Sequence, residues 1–208
     1  MKNRINYHKV LQNTLISLKN ENKRPSLLLH VCCGPCLTVP LQILKDYFDI
    51  TLFFNNSNIY PEEEYLRRLN ELKRYLKYTH NEDIKLIVKD YEPDLFLSYL
   101  EPYKDLKEGY ERCRVCFKKR LNQGYEYASK NGFEYFGTVM TISRYKNAQD
   151  INFIGESLRL LYPTTKWLYA DFKKENGYEN SLEICKEHNL YFQEYCGCKY
   201  SFLRKFSK

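Results

Sequence analysis

The feature that most limits what this chain can become is the run Leu27-Leu28-Leu29-His30-Val31, which passes without a linker into Cys32-Cys33-Gly34-Pro35-Cys36. A short, nearly continuous apolar run predicts a strand buried on both faces, the kind found inside a parallel sheet. Gly-Pro marks a tight turn, and residues 37–47 then read as a helix with Pro40 in its first turn. The alternation continues. Residues 50–54 form a second apolar strand, and residues 61–78 a helix opened by Pro61 and the acids Glu62, Glu63 and Glu64. Residues 84–88 and 134–139 read as further strands, and residues 95–100, 112–130 and 147–161 as helices. A short strand is expected near Trp167, and Ser181 is placed as the N-cap of a later helix. Before the first strand, Val10, Leu11, Thr14, Leu15 and Leu18 share one face of a helix over residues 5–19. Strand, helix, strand, helix, strand implies crossovers and a parallel sheet. The expected fold is α/β: one Rossmann-like domain over residues 1–208 with helices on both faces of a parallel sheet. Residues 1–24 form a helical extension, and a cysteine-bearing segment closes the chain.

The 208 residues carry a net charge of +7, with 43% hydrophobic and 28% charged residues, which excludes wholesale disorder. No apolar run approaches the roughly 18 residues of a membrane span, and residues 1–20 lack the apolar stretch of a signal peptide. A cytoplasmic protein without membrane attachment is expected. The eight cysteines are clustered: Cys32, Cys33 and Cys36; Cys113 and Cys116; Cys196 and Cys198; and Cys185 alone. In a reducing compartment, clustered thiols bind metal or do redox chemistry. Ligands of an open parallel sheet sit beyond the carboxyl ends of its strands, and here that place holds thiols instead of a glycine-rich phosphate loop.

Three readings compete for these thiols. Cys33-Gly34-Pro35-Cys36 is the active-site string of thioredoxin-type thiol–disulfide oxidoreductases, although that leaves the other cysteines unused. Paired C-x-x-C spacings are a zinc signal, compatible with a zinc-stabilised RNA-binding module. An iron–sulfur cluster wants four thiolates from a few loops, and Cys32, Cys33, Cys113 and Cys116 supply four. Cys36, Cys196 and Cys198 then suit a second centre. Cys196-Gly197-Cys198 either closes a labile disulfide or shares one iron with Cys36. Cys185 has no assigned role.

Taken together, His30-Val-Cys-Cys-Gly-Pro-Cys36, Asn56-Ser-Asn-Ile-Tyr-Pro61 with Glu64-Tyr65, Arg112-Cys-Arg-Val-Cys-Phe117 with Arg120-Leu121, Asp171-Phe-Lys-Lys174 with Gly177-Tyr178, and Tyr195-Cys-Gly-Cys198 followed by Ser201 resemble the cobalamin-independent epoxyqueuosine reductases, the QueH family. The likeness runs from about residue 26 to the C-terminus. Ser57 stands where that family more often has proline. The resemblance implies reduction of the epoxide of epoxyqueuosine, at the wobble position of tRNA, to queuosine. It also implies a 4Fe–4S cluster on Cys32, Cys33, Cys113 and Cys116, with Cys196 and Cys198 as a redox-active pair or as ligands of an additional iron.

Converting an epoxide to an alkene takes two electrons and two protons, and side chains supply no electrons, so a cofactor fed by a separate electron donor is required. Tyr195, Tyr145, His30 and Asp171 are the candidate proton donors, although a histidine in a buried strand, as His30 is, is more often a hydrogen-bonded core residue than a proton donor. For an RNA substrate, Lys118-Lys119-Arg120, Lys173-Lys174, Lys199, Arg204, Lys205 and Lys208 offer positive charge near the thiols. Asn56 and Asn58 are candidates for contacts to the modified base in the anticodon loop, and Arg144 and Lys146 for phosphate or ribose. An adenylating tRNA-modifying enzyme of similar winding would need a Ser/Gly phosphate loop after the first strand, where this chain has cysteine.

Overall fold

A computed structural model describes residues 4–206; Lys208, one of the basic residues noted above, lies outside the described residues. Five strands, β1 (Ser26–His30), β2 (Asp49–Phe54), β3 (Leu86–Val88), β4 (Tyr135–Thr138) and β5 (Lys166–Trp167), form one sheet in the order β3-β2-β1-β4-β5. Every neighbouring pair is parallel; Leu29 of β1 lies opposite Leu52 of β2 on one side and Gly137 of β4 on the other. The helices are α1 (Tyr7–Asn20), α2 (Gly34–Leu44), α3 (Glu62–Tyr78), α4 (Pro93–Leu100), α5 (Glu111–Lys130), α6 (Ala148–Arg159), α7 (Gly177–Glu187) and α8 (Lys199–Phe206). The α/β class, the parallel sheet and the helices on both faces agree with the expectation.

Strand alternation divides the core. Leu27, Leu29, Leu52 and Phe54 face one layer with α2 and α3, whereas Leu28 and Phe53 face the other, with Leu121 and Tyr125 of α5 and Ile151 of α6. Leu11, Leu15 and Leu18 of α1 join the first layer. In the second layer Gly155 is required by packing. A Cβ there would stand 2.3 Å from Cε2 of Trp167, whose ring is fixed by its Nε1–H bond to Asn152 Oδ1 at 3.0 Å. Gly155→Ala should therefore cost about 1–2 kcal/mol, an overpacking penalty partly offset by better helix propensity. Urea unfolding measures this, and an unchanged midpoint would show that the Trp167 ring can yield.

Three local expectations are corrected. Helix α2 starts at Gly34, three residues earlier than expected, because Cys33 serves as the N-cap and Pro35 sits at the start, so Cys36 is helical. Pro40 consequently lies in the second turn, where it removes the helical donor that would face the Cys36 carbonyl. Ser181 is not an N-cap: α7 begins at Gly177, and the Ser181 hydroxyl donates to the Pro35 carbonyl at 2.9 Å, tying α7 to the start of α2. The C-terminal segment forms α8, a helix the sequence reading did not place.

Candidate metal centre and active-site cavity

In this strand order the chain leaves β1 toward β2 on one side, while β4 lies on the other. The crevice of such a sheet opens at the carboxyl end of these central strands. His30, Val31, Cys32 and Cys33 occupy that end, and the first turn of α2 adds Cys36. The sulfurs of Cys32, Cys33 and Cys36 all lie within 4.8 Å of one another, with Cys32 and Cys33 3.8 Å apart. Hydrogen bonds from Cys33 and Cys36 hold the Cys32 thiol well below its ordinary pKa. Cys33 is pushed up by burial, and Cys36 to about 12, first by its bond to Cys32.

The first turns of α5 bring in Cys113 and Cys116, three residues apart and so on one helical face. Cys113 accepts the Gly109 N–H at 3.1 Å, and burial raises both thiols, Cys116 to about 12. Between them and the C-terminus stands Arg112. It donates to the carbonyls of Lys104 and Leu106 and lies over the Tyr200 ring, 4.7 Å from its centroid.

The third thiol segment, Cys196-Gly197-Cys198, is held by α3. Arg68, 2% exposed, donates from Nη1 to the Cys196 carbonyl and from Nη2 to the Tyr195 carbonyl, each at 3.2 Å. Its Nε pairs with Glu64 at 2.7 Å, and Tyr191 donates to the same carboxylate at 2.9 Å. Gly197 has φ +111°, and a Cβ there would come within 2.8 Å of Arg68 Nη1, so this position needs glycine for both conformation and space.

These three segments meet. One cavity of about 760 Å³ is lined by Cys32, Cys36, Cys113 and Cys196, together with Arg68, Arg144 and Lys146. Cys185 is buried on α7, away from this lining.

A hydrogen-bond network around Arg120 supports the strand end. Arg120 Nη2 donates to Asn56 Oδ1 at 2.7 Å and to His30 Nε2 at 3.3 Å, which leaves the proton on Nδ1 to donate to Thr138 Oγ1 at 2.9 Å. Burial, then Arg120, holds His30 down to about 3, so it is neutral and fully engaged. Asn56 is spent the same way, its amide donating to the Val31 carbonyl at 2.8 Å. Asn58 is buried with Oδ1 unpartnered. Arg120 points inward, so the run 118–120 is not one continuous basic surface. Of the other candidate proton donors, Tyr195 donates its hydroxyl to the Tyr60 carbonyl, and Asp171 pairs with Lys173 at 2.9 Å. Tyr145 lines the cavity, 73% exposed, with its hydroxyl accepting from Arg144 and its own proton uncommitted.

The charge balance shows what the site can hold. Among the described residues no carboxylate pairs with Arg120 or with Lys146, and Arg120 Nε has no partner at all. A cation buried without counter-charge is costly. Burial works against the Lys146 charge, but the sulfurs of Cys196, Cys32 and Cys36 outweigh it and raise its pKa. Arg120 likewise lowers the pKa of both Cys32 and Cys116, from two different thiol groups. Metal binding requires thiolates, and these cations balance thiolates. The donor set and its surroundings therefore fit a thiolate-bound metal.

Sequence reading gave Arg68 no role, took Glu64 as a helix-opening acid and placed Arg120 in a basic run facing RNA, yet a signal for their buried roles exists. Glu64, Arg68 and Leu72 recur every fourth residue along the buried stripe of α3, and Arg112, Cys116 and Arg120 recur in the same way along that of α5. Charged residues in an apolar stripe are the trace of a buried ion pair, as for Glu64 and Arg68, or of a buried hydrogen-bond network, as for Arg120.

Comparison with known proteins bears on all of this. The family described as Epoxyqueuosine reductase QueH matches residues 27–204. The chain is similar to the epoxyqueuosine reductase QueH of Streptococcus pyogenes serotype M1, 41% identical over 201 residues, covering 95% of this chain and 78% of the relative. It is 40% identical over 211 residues to that of Staphylococcus aureus strain Mu50, covering 99% and 88%. With that of Staphylococcus epidermidis the identity is 39% over the same length and coverage.

Proposed function

The chain belongs to the QueH family of epoxyqueuosine reductases, and from that premise we propose that it reduces the epoxide of epoxyqueuosine in tRNA to queuosine. The observation that carries this reading is that thiols from three distant parts of the chain line one cavity beside cations that lack carboxylate partners. Cys32, Cys33, Cys113 and Cys116 would hold a 4Fe–4S cluster. Cys36, which shares its group with Cys32 and Cys33, would join Cys196 and Cys198 in an adjoining redox or iron centre. When bound, such iron supplies electrons in single steps and an acid for the epoxide oxygen.

The protein's own residues do the rest. Arg68 fixes the Cys196–Cys198 segment against the cavity. Tyr145 has a proton available at the rim, while His30, Asn56 and Tyr195 serve as scaffold. Arg144 and Lys146 present positive charge to the RNA backbone. No described helix is long and apolar enough to cross a membrane. The reading places the protein with tRNA in the cytoplasm, fed by a separate electron donor.

One observation favours a second reading of the metal. The 3.8 Å between Cys32 and Cys33 sulfurs matches the edge of a tetrahedron with metal–sulfur bonds of about 2.3 Å, as in a single zinc or iron site. Anaerobic purification followed by metal and sulfide analysis separates the two. The cluster reading expects about four iron and four acid-labile sulfide per chain, and broad absorption near 400 nm. Incubated with a low-potential reductant and tRNA carrying epoxyqueuosine, the protein should yield queuosine in the digested nucleosides. Stoichiometric zinc without sulfide would remove the cluster, and an iron-loaded protein that leaves the epoxide intact would remove the reductase reading.

A further inference from the structure

Beside the thiol cavity lies a second, smaller pocket of about 290 Å³, and Arg144, Tyr145, Lys146 and Asn147 border both. The two chambers have opposite chemistry. The first carries the sulfurs. The second is lined by the cationic side chains Arg4, Arg144, Lys146 and Lys173, against one carboxylate, Asp171. Asp171 is already paired with Lys173 at 2.9 Å, and Lys173 also donates to the Thr141 carbonyl at 2.7 Å. Arg4, Arg144 and Lys146 have no carboxylate partner among the described residues. The N-terminus of α6, twelve residues long, opens on the same pocket and adds the positive end of its dipole.

We propose that this second pocket is a phosphodiester subsite, which takes the backbone phosphate next to the nucleotide whose base enters the thiol cavity. This rests on the reading of the substrate as RNA and adds a defined place for its backbone. The ridge explains the division. Arg144 lies over the rings of Tyr145 and Tyr178, at 4.9 Å and 5.3 Å, and both rings line the thiol side. A single strand crossing the ridge finds aromatic faces for its base on one side and, in Arg4 and Arg144, cations without a carboxylate partner for its phosphate on the other. Arg4 touches only the second chamber, so it reports on that chamber alone.

The test is binding, read apart from catalysis. Iron-loaded full-length protein is titrated with an anticodon stem-loop RNA, either unmodified or carrying one uncharged methylphosphonate at successive linkages around the wobble nucleotide. For wild type, one linkage should stand out, weakening binding about five- to tenfold while the others change it little. Arg4→Gln should weaken binding several-fold and lower the dependence of log Kd on log salt by about 0.7, the value for one contact to single-stranded RNA. In that variant the sensitive linkage should lose its effect. Lys19→Gln, the same charge change on exposed α1, should bind as wild type. A flat methylphosphonate series, as expected if the pocket served a free phosphorylated cofactor, would overturn the subsite, as would Arg4→Gln binding like wild type. If wild type converts epoxyqueuosine tRNA in those cases, the functional reading stands without the subsite. If wild type binds no stem-loop at all, both fall.

Discussion

Arg68→Met should cost about 3–5 kcal/mol of stability and free the Cys196–Cys198 segment from the cavity wall, because it leaves a buried charge without its partner. The side chains of Arg68 and Glu64 are 2% and 9% exposed, so neither has water to fall back on. Removing the guanidinium leaves the Glu64 carboxylate with only the Tyr191 hydroxyl, and leaves the Tyr195 and Cys196 carbonyls without donors. Arg68→Lys should not rescue it, since one ammonium on a different stem cannot serve a carboxylate and two carbonyls in a fixed fork. Loss of stability and loss of positioning can be told apart. In Arg68→Met with Glu64→Gln the orphaned charge is gone, so urea unfolding should show most of the stability restored. The segment would still lack its tether, and Cys196 in metal-free protein should be alkylated faster than in wild type. Alkylation at the wild-type rate in that double variant would mean that the bond from Tyr60 N–H to the Gly197 carbonyl, at 2.7 Å, holds the segment unaided.

How far the sequence discloses this site depends on the range of the interactions. The sheet and its helices were legible because apolar runs and helical stripes report local burial, and the position of Cys32 and Cys33 followed from the end of β1. The thiol groupings by chain position were visible too. The convergence of Cys113 and Cys196 on Cys32 depends on where α5 and the C-terminal segment pack, and spacing does not encode that; the need of a cluster for four thiolates raised it as one of three readings, and family resemblance selected it. Asn56 illustrates the limit. A polar residue in the loop after β2 reads as facing substrate, but Asn56 is buried, its amide donating to Val31 and accepting from Arg120, and no local rule distinguishes a loop amide that faces solvent from one that closes a buried network. α8 was missed because it has only eight residues, starts directly after Cys198 and buries Ser201 without a long apolar stripe.

Arg120 yields the second large effect, and its sign depends on what occupies the thiols. In metal-free protein, Arg120→Met removes a buried cation that has no carboxylate partner, which relieves a desolvation cost, and it orphans His30 Nε2 and Asn56 Oδ1, at about 1–3 kcal/mol each. These oppose one another, so the metal-free variant should unfold only a few degrees below wild type. In loaded protein the relief disappears, because the thiolates of Cys32 and Cys116 then need the cation as counter-charge. Ligand-linked stabilisation equals the binding free energy available at the working concentration, so weaker metal binding appears directly as a smaller rise in Tm on loading. The expected result is a Tm difference between loaded and metal-free protein that is much smaller in Arg120→Met than in wild type, with iron lost to a chelator at least tenfold faster. Arg120→Lys, which keeps the charge but not the fork to His30 and Asn56, should retain iron better than Arg120→Met while being the less stable of the two when metal-free. If Arg120→Met holds iron as tightly as wild type, the charge that balances the thiolates lies elsewhere, and Lys146 becomes the group to remove.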